Sequence, residues 1–388
     1  MNIGIMVRTI EERQGIGLYT LNLLDNLFRI DPVNQYYLFY KNMNFWDRYN
    51  HPNVHKVLVK MPTKLMWDQL TIPFMVIKYK LDVLFNTKFT VPFLTKCPTA
   101  MVMHGSEWYI FPKNYTYLDI KYVKMFMPFY LKKAKAIISV SDRAKYDMAK
   151  YAKGDPEKFR TIYLAYNKRF GVIKDQQVLK ATREKYNLPD KFILFVGKIY
   201  PGKNIDTLVK AYAKIAYKVP HKLLLVGGFR WKYDVVFDLI KTLGLKDKVV
   251  FKEWVAPEEL PAFYNLADVF AFPSIYESCP APPWEAMACG CPVVTSDTGG
   301  TPEVVGNAAL YVKPDDPDMI ADALLKAITD EDTRRDLIQK GFKQIKKFCW
   351  EKTAVETLEV FNKIYNESIQ ELEMDDLQSN RIHFAEKK

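Results

Sequence analysis

The 388-residue sequence predicts an α/β protein with two doubly wound parallel sheets. Short, continuous runs of apolar residues recur along the chain, and stretches with apolar residues at helical spacing separate them. The strands of a parallel sheet show such runs because helices cover both of its faces. This series of strands and helices starts twice, and the length suits two domains of ordinary size.

The first series predicts an N-terminal domain, which we place at 1–170. Residues 1–10, MNIGIMVRTI, acquire a charge too early for a signal peptide, so we interpret them as the first strand. A helix is predicted at 18–30, where leucines recur at helical spacing. The predicted strands of this half are 2–7, 36–41, 55–60, 82–87, 98–104 and 135–141.

The second series predicts a C-terminal domain at 171–350, after the polar stretch NKRFGVIKDQQ. A long amphipathic helix is predicted at 350–373, in a C-terminal segment, 351–388, that crosses back to the N-terminal domain and ends in a loose polar tail. Ligands of parallel sheets bind outside the carboxyl ends of the strands, so we expect the two domains to face a central cleft. The predicted strands of this half are 191–197, 221–228, 248–253, 268–274 and 292–297.

Composition argues against several classes of protein. No run of 18 apolar residues occurs, so no membrane-spanning helix is predicted. The five cysteines are odd in number, and their spacing suits neither a disulfide framework nor a zinc site. We therefore expect reduced thiols and a cytoplasmic protein. The cysteines are Cys97, Cys279, Cys289, Cys291 and Cys349.

The net charge of +11 is unevenly distributed. Residues 1–170 contain 26 Lys and Arg against 13 Asp and Glu, so the basic excess belongs entirely to the N-terminal part. Such asymmetry indicates a polyanion or an anionic membrane surface as a partner. The alternative is a solvated basic face with no partner.

The segment 117–135, YLDIKYVKMFMPFYLKKAK, combines apolar and basic residues. At helical spacing its apolar side chains share a stripe, while five lysines flank them. A basic amphipathic helix of this kind can lie on an anionic membrane surface. The alternative is a helix that packs on the core with its lysines outward, and Pro128 is expected to kink or end it. The stripe comprises Leu118, Tyr122, Met125, Phe126 and Phe129.

The motif GKIYPGKN at 197–204 follows a predicted strand and precedes a predicted helix. A glycine turn in this position leaves backbone N–H groups free near the positive end of the helix dipole. Lys198 and Lys203 add two charges, and the combination suits a diphosphate. The spacing is not that of a Walker A loop, and a turn with surface lysines is the structural alternative.

Two further motifs follow predicted strands of the N-terminal half. In the first loop, Gly15 and Gly17 would let the backbone approach a ligand closely, although the third glycine of a dinucleotide fingerprint is missing. A tight turn is the simpler explanation. His104 lies at the carboxyl end of the predicted strand 98–104, where a side chain would point toward the expected cleft.

The stretch ESCPAPPWEAMACG at 277–290 contains two glutamates eight positions apart. Pro282 and Pro283 suit the entry of a helix, where a missing N–H costs nothing. Glu285 then lies in the first helical turn, where negative charge is favourable. That structural explanation accounts for Glu285 but leaves Glu277 unexplained.

Together these pieces resemble the retaining glycosyltransferases of family 4, which have the GT-B fold of two Rossmann-like domains. The resemblance covers nearly the whole chain, with mannosyltransferase-like members as the nearest pattern. Its most specific part is the glutamate pair followed by EAMACGCPVVTSDTGGTPEVVG. Supporting parts are the glycine loop, WDQLTIP at 67–73, His104, IISVSDRAKYDM at 137–148 and the lysine motif.

The resemblance implies a role for each motif. Glu277 contacts hydroxyls of the transferred sugar, and Glu285 holds the ribose hydroxyls of the nucleotide. Lys198 and Lys203 bind the diphosphate, and His104 lies near the anomeric carbon. His104, Glu277, Lys198 and Lys203 are thus the expected catalytic residues, and the remaining expected donor-binding residues are Gly15, Gly17, Gly197, Ser278 and Glu285.

Two departures from the family pattern concern the donor site. Arginine is usual where Lys198 stands, so the charge is kept while bidentate phosphate geometry is lost. Pro280 replaces a usual glycine and cannot donate an N–H. We therefore expect the pose of the donor sugar to differ from the family pattern.

The implied function is transfer of a hexose, of mannose or glucose type, from a GDP- or UDP-linked sugar to a saccharide or a polyprenyl- or lipid-linked acceptor. The product would belong to a cell-surface polysaccharide or glycolipid. No metal and no cofactor are expected, and the location is the cytoplasm, with the inner face of the cell membrane as an alternative. Two other hypotheses remain: a nucleotide-sugar epimerase of similar fold, and a nucleic-acid-binding protein, which lacks a reader motif.

Overall fold

The computed structural model describes residues 1–12, 15–230 and 233–385. The chain forms two compact units. Unit 1 comprises Met1–Tyr163 and Trp350–Lys388, and unit 2 comprises Leu164–Cys349. Each unit is built around a parallel sheet with helices on both faces, as the alternation of apolar runs and helical stretches predicts.

The sheet of unit 1 has seven parallel strands in the order β3-β2-β1-β4-β5-β6-β7. Strand β1 pairs with β2 on one side and with β4 on the other, and the register places Met6 opposite Asn86. The strands are β1 (Asn2–Met6), β2 (Gln35–Tyr40), β3 (Val54–Leu58), β4 (Val83–Asn86), β5 (Thr99–Met103), β6 (Ala136–Ser139) and β7 (Phe159–Thr161).

Helices cover both faces of this sheet. Alternate residues of β4 point to opposite sides, since Leu84 packs in a cluster with Trp67 and Ile72, whereas the ring of Phe85 lies 5.0 Å from that of Phe361. The helices of unit 1 are α1 (Ile16–Ile30), α2 (Lys64–Met66), α3 (Ile72–Lys78), α4 (Glu107–Ile110), α5 (Tyr117–Lys133), α6 (Asp142–Ala152) and α15 (Trp350–Ala385); a π-helical turn, Trp67–Thr71, joins α2 to α3.

Unit 2 has a six-stranded parallel sheet in the order β10-β9-β8-β11-β12-β13. Its strands are β8 (Phe192–Val196), β9 (Lys222–Val226), β10 (Val249–Lys252), β11 (Val269–Phe272), β12 (Val293–Ser296) and β13 (Ala309–Val312). Its helices are α7 (Gln176–Tyr186), α8 (Ile205–Ile215), α9 (Asp234–Thr242), α10 (Leu260–Leu266), α11 (Pro282–Ala288), α12 (Thr301–Val305), α13 (Pro317–Thr329) and α14 (Glu331–Ile345).

Three features differ from the sequence predictions. Strands β7 and β13, at one edge of each sheet, were not predicted. Helix α5 runs through Pro128 without ending there. Helix α15 continues to Ala385, so the prediction of a loose tail after 373 is wrong for 374–385, while residues 386–388 lie outside the described part of the chain.

Helix α5 packs on the core of unit 1 with one side and is exposed on the other. Val123, Met127 and Tyr130 are buried in the core of unit 1, as a core-facing helix requires. Of the predicted stripe, Leu118, Met125 and Phe129 are exposed, and Tyr122 and Phe126 pack on the core. Within the described residues, no helix has both the length and the apolar character to cross a bilayer.

Candidate active site

In unit 2, Lys203 and Glu277 meet at the carboxyl ends of two neighbouring strands. Lys203 ends a single turn, Pro201–Lys203, that follows β8, and Glu277 follows β11, which pairs with β8. The Lys203 ammonium donates to Oε1 of Glu277 at 2.5 Å, and it lies 4.8 Å from the centre of the Phe272 ring. The two side chains are only 13% and 18% exposed, so their pairing is weakly screened by water.

Backbone contacts hold Glu277 in place. The amide of Gly300 donates to the carbonyl oxygen of Glu277 at 2.7 Å. The preceding residue, Gly299, has a φ of +63°, and a Cβ on it would lie 2.3 Å from that same carbonyl oxygen. Only glycine fits such a conformation at such a close approach, so the loop after β12 fixes the loop that contains Glu277.

The loop after β8 is fixed in a comparable way. Its strand hydrogen bonding extends past β8, because the amide of Gly197 donates to the carbonyl of Val226 at 2.9 Å. At the other end of the loop, Asn204 has a φ of +60° and its side-chain amide donates to the carbonyl of Pro273 at 2.9 Å. Between these two anchors, Lys198 is exposed.

Glu285 has a partner of its own. It lies in α11, and the hydroxyl of Tyr264 donates to its Oε2 at 2.8 Å. Burial raises the pKa of the Glu285 carboxyl to about 7, although the Tyr264 hydrogen bond and the positive charge of Arg169 act in the opposite direction. Among the described side chains, no hydrogen bond to its other oxygen, Oε1, is found, so this oxygen can accept a ligand hydroxyl.

Proline and tryptophan residues fix the start of α11. Pro282 and Pro283 occupy its first turn, as predicted. Trp284 is fully buried, donates from Nε1 to the carbonyl of Val304 at 2.8 Å and has its ring 4.5 Å from that of Phe348. Pro280 is buried between Glu277 and this helix. The two glutamates therefore project from separately anchored segments.

In unit 1, His104 directly follows β5. Its Nε2 lies 2.8 Å from the carbonyl of Thr87, which can only accept, so Nε2 carries the proton. Burial lowers the pKa of His104 to about 4; the hydrogen bond to Thr87 opposes the shift, and the positive charge of Lys88 adds to it. The imidazole is thus neutral at physiological pH and offers Nδ1 as an acceptor. The Tyr19 ring meets it edge-on at 4.8 Å.

The two glycines of the first loop, Gly15 and Gly17, differ in how closely other atoms approach them. A Cβ on Gly17 would lie 1.5 Å from the carbonyl oxygen of Glu12, so the chain packs against itself there. Gly15 has a φ of +55° with no heavy atom within 4 Å of an added Cβ, which leaves open space beside its backbone.

The structure brings together only some of the predicted residues. Lys203 and Glu277 are in contact, with Gly197 and Lys198 in the same loop as Lys203 and Ser278 directly after Glu277. Sequence reasoning missed Tyr264, Gly299 and Asn204. The double glycine at 299–300, close behind the predicted strand 292–297, was a sequence signal for the role of Gly299. No sequence pattern pointed to Tyr264.

The chain is similar to known glycosyltransferases. Residues 180–344 match the family Glycosyl transferases group 1. O-antigen chain mannosyltransferase B of Escherichia coli is 26% identical over 366 residues, which cover 89% of this chain and 95% of that protein. Serotype-specific mannosyltransferase WbdA of Escherichia coli is 30% identical over 254 residues, covering 63% of this chain but 31% of that protein.

Solved structures show the same fold. Sucrose-phosphate synthase from Thermosynechococcus elongatus aligns over 95% of this chain and 100% of its own, with a TM-score of 0.74 and 21% identity. HepE of Anabaena, solved in complex with UDP-glucose, aligns over 94% of this chain and 100% of its own, with a TM-score of 0.74 and 17% identity.

Two parallel-sheet units with these neighbours define a protein of the GT-B fold. The match of residues 180–344 to this family and the similarity to mannosyltransferases identify the chain as a glycosyltransferase.

Proposed function

We propose that this glycosyltransferase is a retaining, metal-independent hexosyltransferase of family 4. It moves mannose or glucose from a GDP- or UDP-linked donor to a saccharide or lipid-linked acceptor in the synthesis of a cell-surface polysaccharide or glycolipid. The contact between Lys203 and Glu277 is the observation that carries this proposal. The full-length relative is named as an O-antigen chain mannosyltransferase, which favours mannose and a polysaccharide product.

In the proposed donor site, three charged residues of unit 2, Lys198, Lys203 and Glu277, bind the diphosphate and the hexose. As the bond from the anomeric carbon to the diphosphate breaks, negative charge grows on the departing phosphate oxygens. Lys203 and Lys198 stabilise that negative charge where it develops, and they provide this stabilisation without a metal ion. Glu277, held by Lys203, accepts hydroxyls of the hexose through Oε2.

Glu285 is the residue proposed to bind the ribose of the nucleotide. Its Oε1 accepts a ribose hydroxyl while Tyr264 holds Oε2. A carboxylate forms stronger hydrogen bonds to hydroxyl groups than a neutral acid does, so the ionised form binds the donor.

The proposed chemical step is attack of an acceptor hydroxyl on the face that the diphosphate leaves. The acceptor oxygen bonds to the anomeric carbon, and its proton passes to the departing phosphate, so the configuration is retained. His104 provides a neutral acceptor, Nδ1, for a sugar hydroxyl.

The proposed location is the cytoplasm, at the inner face of the cell membrane. Helix α5 exposes Leu118, Met125 and Phe129, and α3 with the turn before it exposes a second stripe, Leu70, Phe74 and Ile77, at helical spacing. Four lysines accompany these stripes. Apolar side chains beside cations suit insertion into an anionic bilayer surface. The lysines are Lys78, Lys121, Lys124 and Lys132.

A donor screen tests the function. The purified chain is incubated with GDP-mannose, GDP-glucose, UDP-glucose and UDP-galactose, and release of the nucleoside diphosphate is measured with and without EDTA. We expect one donor to be cleaved equally in both conditions, and NMR of the product to show a retained anomeric configuration. An epimerase would return the nucleotide sugar with an altered hexose.

Co-sedimentation with vesicles tests the location. The double variant Phe74→Asp, Phe129→Asp should lose binding to phosphatidylglycerol vesicles at moderate salt. Leu372→Asp, which changes an exposed apolar residue of α15, is the matched control and should bind like the wild type. Equal binding of both variants would contradict the membrane proposal.

A further inference from the structure

The sheet of unit 1 has a topological switch point between β1 and β4. From β1 the chain returns to β2 on one side, while β4 on the other side is followed by β5 further out. In open parallel sheets, ligands bind in the crevice that such a reversal creates at the carboxyl ends. Arg8 and Lys88 each come two residues after the paired strand ends Met6 and Asn86, so both side chains start at this crevice.

Arg8 is held from one side only. Its Nη1 lies 3.1 Å from Oδ1 of the buried Asp68, and its guanidinium lies 5.3 Å from the centre of the Trp67 ring. Asp68 is fixed in turn by the hydroxyl of Thr90 at 3.1 Å. Within the described part of the chain, no acceptor pairs with Nε or Nη2 of Arg8. A guanidinium fixed in this way is preorganised to bind a phosphate with its remaining donors.

Lys64 lies beside this pair. It precedes Asp68 by four residues along the helical turns 64–71, so the two side chains share a face. Its ammonium has no ion-pair partner among the residues that the structure describes. The surrounding protein, and then the positive charges of Arg8 and Lys88, lower the pKa of Lys64. Lys64 therefore lies close enough to Arg8 and Lys88 for their positive charges to repel its own.

The nearby carboxylates do not compensate for this repulsion. Asp68 is 3% exposed and is committed to Arg8. Glu12 lies 3.4 Å from the Lys88 ammonium and is 48% exposed, a loose surface contact of small energy. A group with two negative charges would relieve the repulsion.

We propose that Arg8, Lys64 and Lys88 form a binding site for a phosphate or diphosphate group of the acceptor. This inference rests on the proposed function, because it assigns the group to the acceptor substrate. The lysines assigned to the donor diphosphate, Lys198 and Lys203, belong to unit 2, which leaves the unit 1 cations without a role in donor binding. His104 lies close to this site, because its Nε2 donates to the carbonyl of Thr87, the residue before Lys88.

Calorimetric titration of inorganic pyrophosphate at low salt tests the site. We expect two sites on the wild-type chain. The double variant Lys64→Gln, Lys88→Gln should lose one of them, with an affinity at least about tenfold weaker. Lys203→Met should lose the other. Lys363→Gln, which removes an exposed lysine of α15, is the matched control and should keep both sites.

The two variants separate failure of this inference from failure of the proposed function. Two intact sites in the Lys64, Lys88 double variant would overturn the inference, whereas loss of neither site in Lys203→Met would overturn the donor site. Neither variant removes Arg8, which neutralises a buried carboxylate and whose loss could unfold the chain.

Farnesyl diphosphate and mannose 6-phosphate then distinguish the source of the phosphate. If only farnesyl diphosphate binds more weakly to the double variant, the acceptor is a lipid diphosphate. If only mannose 6-phosphate does, it is a soluble sugar phosphate. If the double variant binds both as the wild type does, the site does not serve an acceptor and the inference is wrong.

Discussion

The two sheets place different charges at equivalent points. In unit 2 the switch point lies between β8 and β11, where Lys203 faces Glu277 at 2.5 Å. In unit 1 it lies between β1 and β4, where Arg8 and Lys88 are both cations. The same topology therefore fixes where a site forms, while the residues that follow each strand decide what it binds.

The two points also differ in how their side chains are held. Contacts to backbone carbonyls, made by Gly299, Gly300 and the side-chain amide of Asn204, fix the loops of unit 2. Side chains fix the unit 1 site, where buried Asp68 and the Trp67 ring hold Arg8. Changes in unit 2 loops should therefore affect activity through backbone position, and changes in unit 1 through charge and burial.

Removing the unit 2 cation should have the largest effect. Lys203→Met should lower the turnover of the donor about 10²- to 10³-fold, because charge on the leaving diphosphate loses its stabilisation. Initial rates measured with the donor found in the screen give this ratio. Lys210→Met, an exposed lysine one turn into α8, is the control and should retain the wild-type rate.

Acidification should weaken donor binding. Below pH 7 Glu285 becomes protonated and loses its charge, so the KM for the donor should rise about tenfold per pH unit well below 7. Tyr264→Phe removes a hydrogen bond that lowers the pKa of Glu285, so its KM profile should move to higher pH. Tyr217→Phe, on an exposed tyrosine of the same unit, should leave the profile in place; an unmoved profile in Tyr264→Phe contradicts the assignment.

A pair of glycine substitutions separates backbone strain from displacement of Glu277. Gly244 and Gly299 have φ values of +67° and +63°, but an added Cβ meets nothing at Gly244 and meets the Glu277 carbonyl oxygen at Gly299. Gly244→Ala should cost about 1 kcal/mol of unfolding free energy and keep full activity. Gly299→Ala should cost more and raise the donor KM, and equal activity of the two variants would show that this loop does not position Glu277.

The smallest effect is expected from removing the hydrogen bond between Thr90 and Asp68, the carboxylate that pairs with Arg8. Thr90→Val removes the hydroxyl bonded to Asp68 at nearly constant volume and should cost about 1 kcal/mol of unfolding free energy. Pyrophosphate affinity at the unit 1 site should fall only slightly. Thr329→Val, at an exposed helix end, serves as the control in urea unfolding.

The sequence was sufficient for the fold because buried parallel strands are continuous apolar runs. Strand β7, with the residues FRT, lacks such a run. Strand β13, with ALYV, is apolar, but it is an edge strand of only four residues. Helix α15 was predicted to end early because its last turns are polar, yet no glycine or proline interrupts residues 374–385 and the helix continues.

The site was predictable where a motif is local. Lys203 and Glu277 stand out from loops that follow apolar strands, and the structure places them in contact. The contact of Tyr264 with Glu285 and that of Arg8 with Asp68 join residues 21 and 60 positions apart, and no local pattern connects them. Long-range packing decides such pairs, so they follow only from the folded structure.

The assignment of the donor to unit 2 and of the acceptor phosphate to unit 1 is tested most directly by calorimetric titration of GDP and UDP. The wild type, Glu285→Gln and the double variant Lys64→Gln, Lys88→Gln are compared at one pH above 7. We predict that Glu285→Gln binds the preferred nucleotide about tenfold more weakly, while the double variant binds it as the wild type does. Weaker binding in the double variant together with unchanged binding in Glu285→Gln would contradict the assignment of the donor to unit 2.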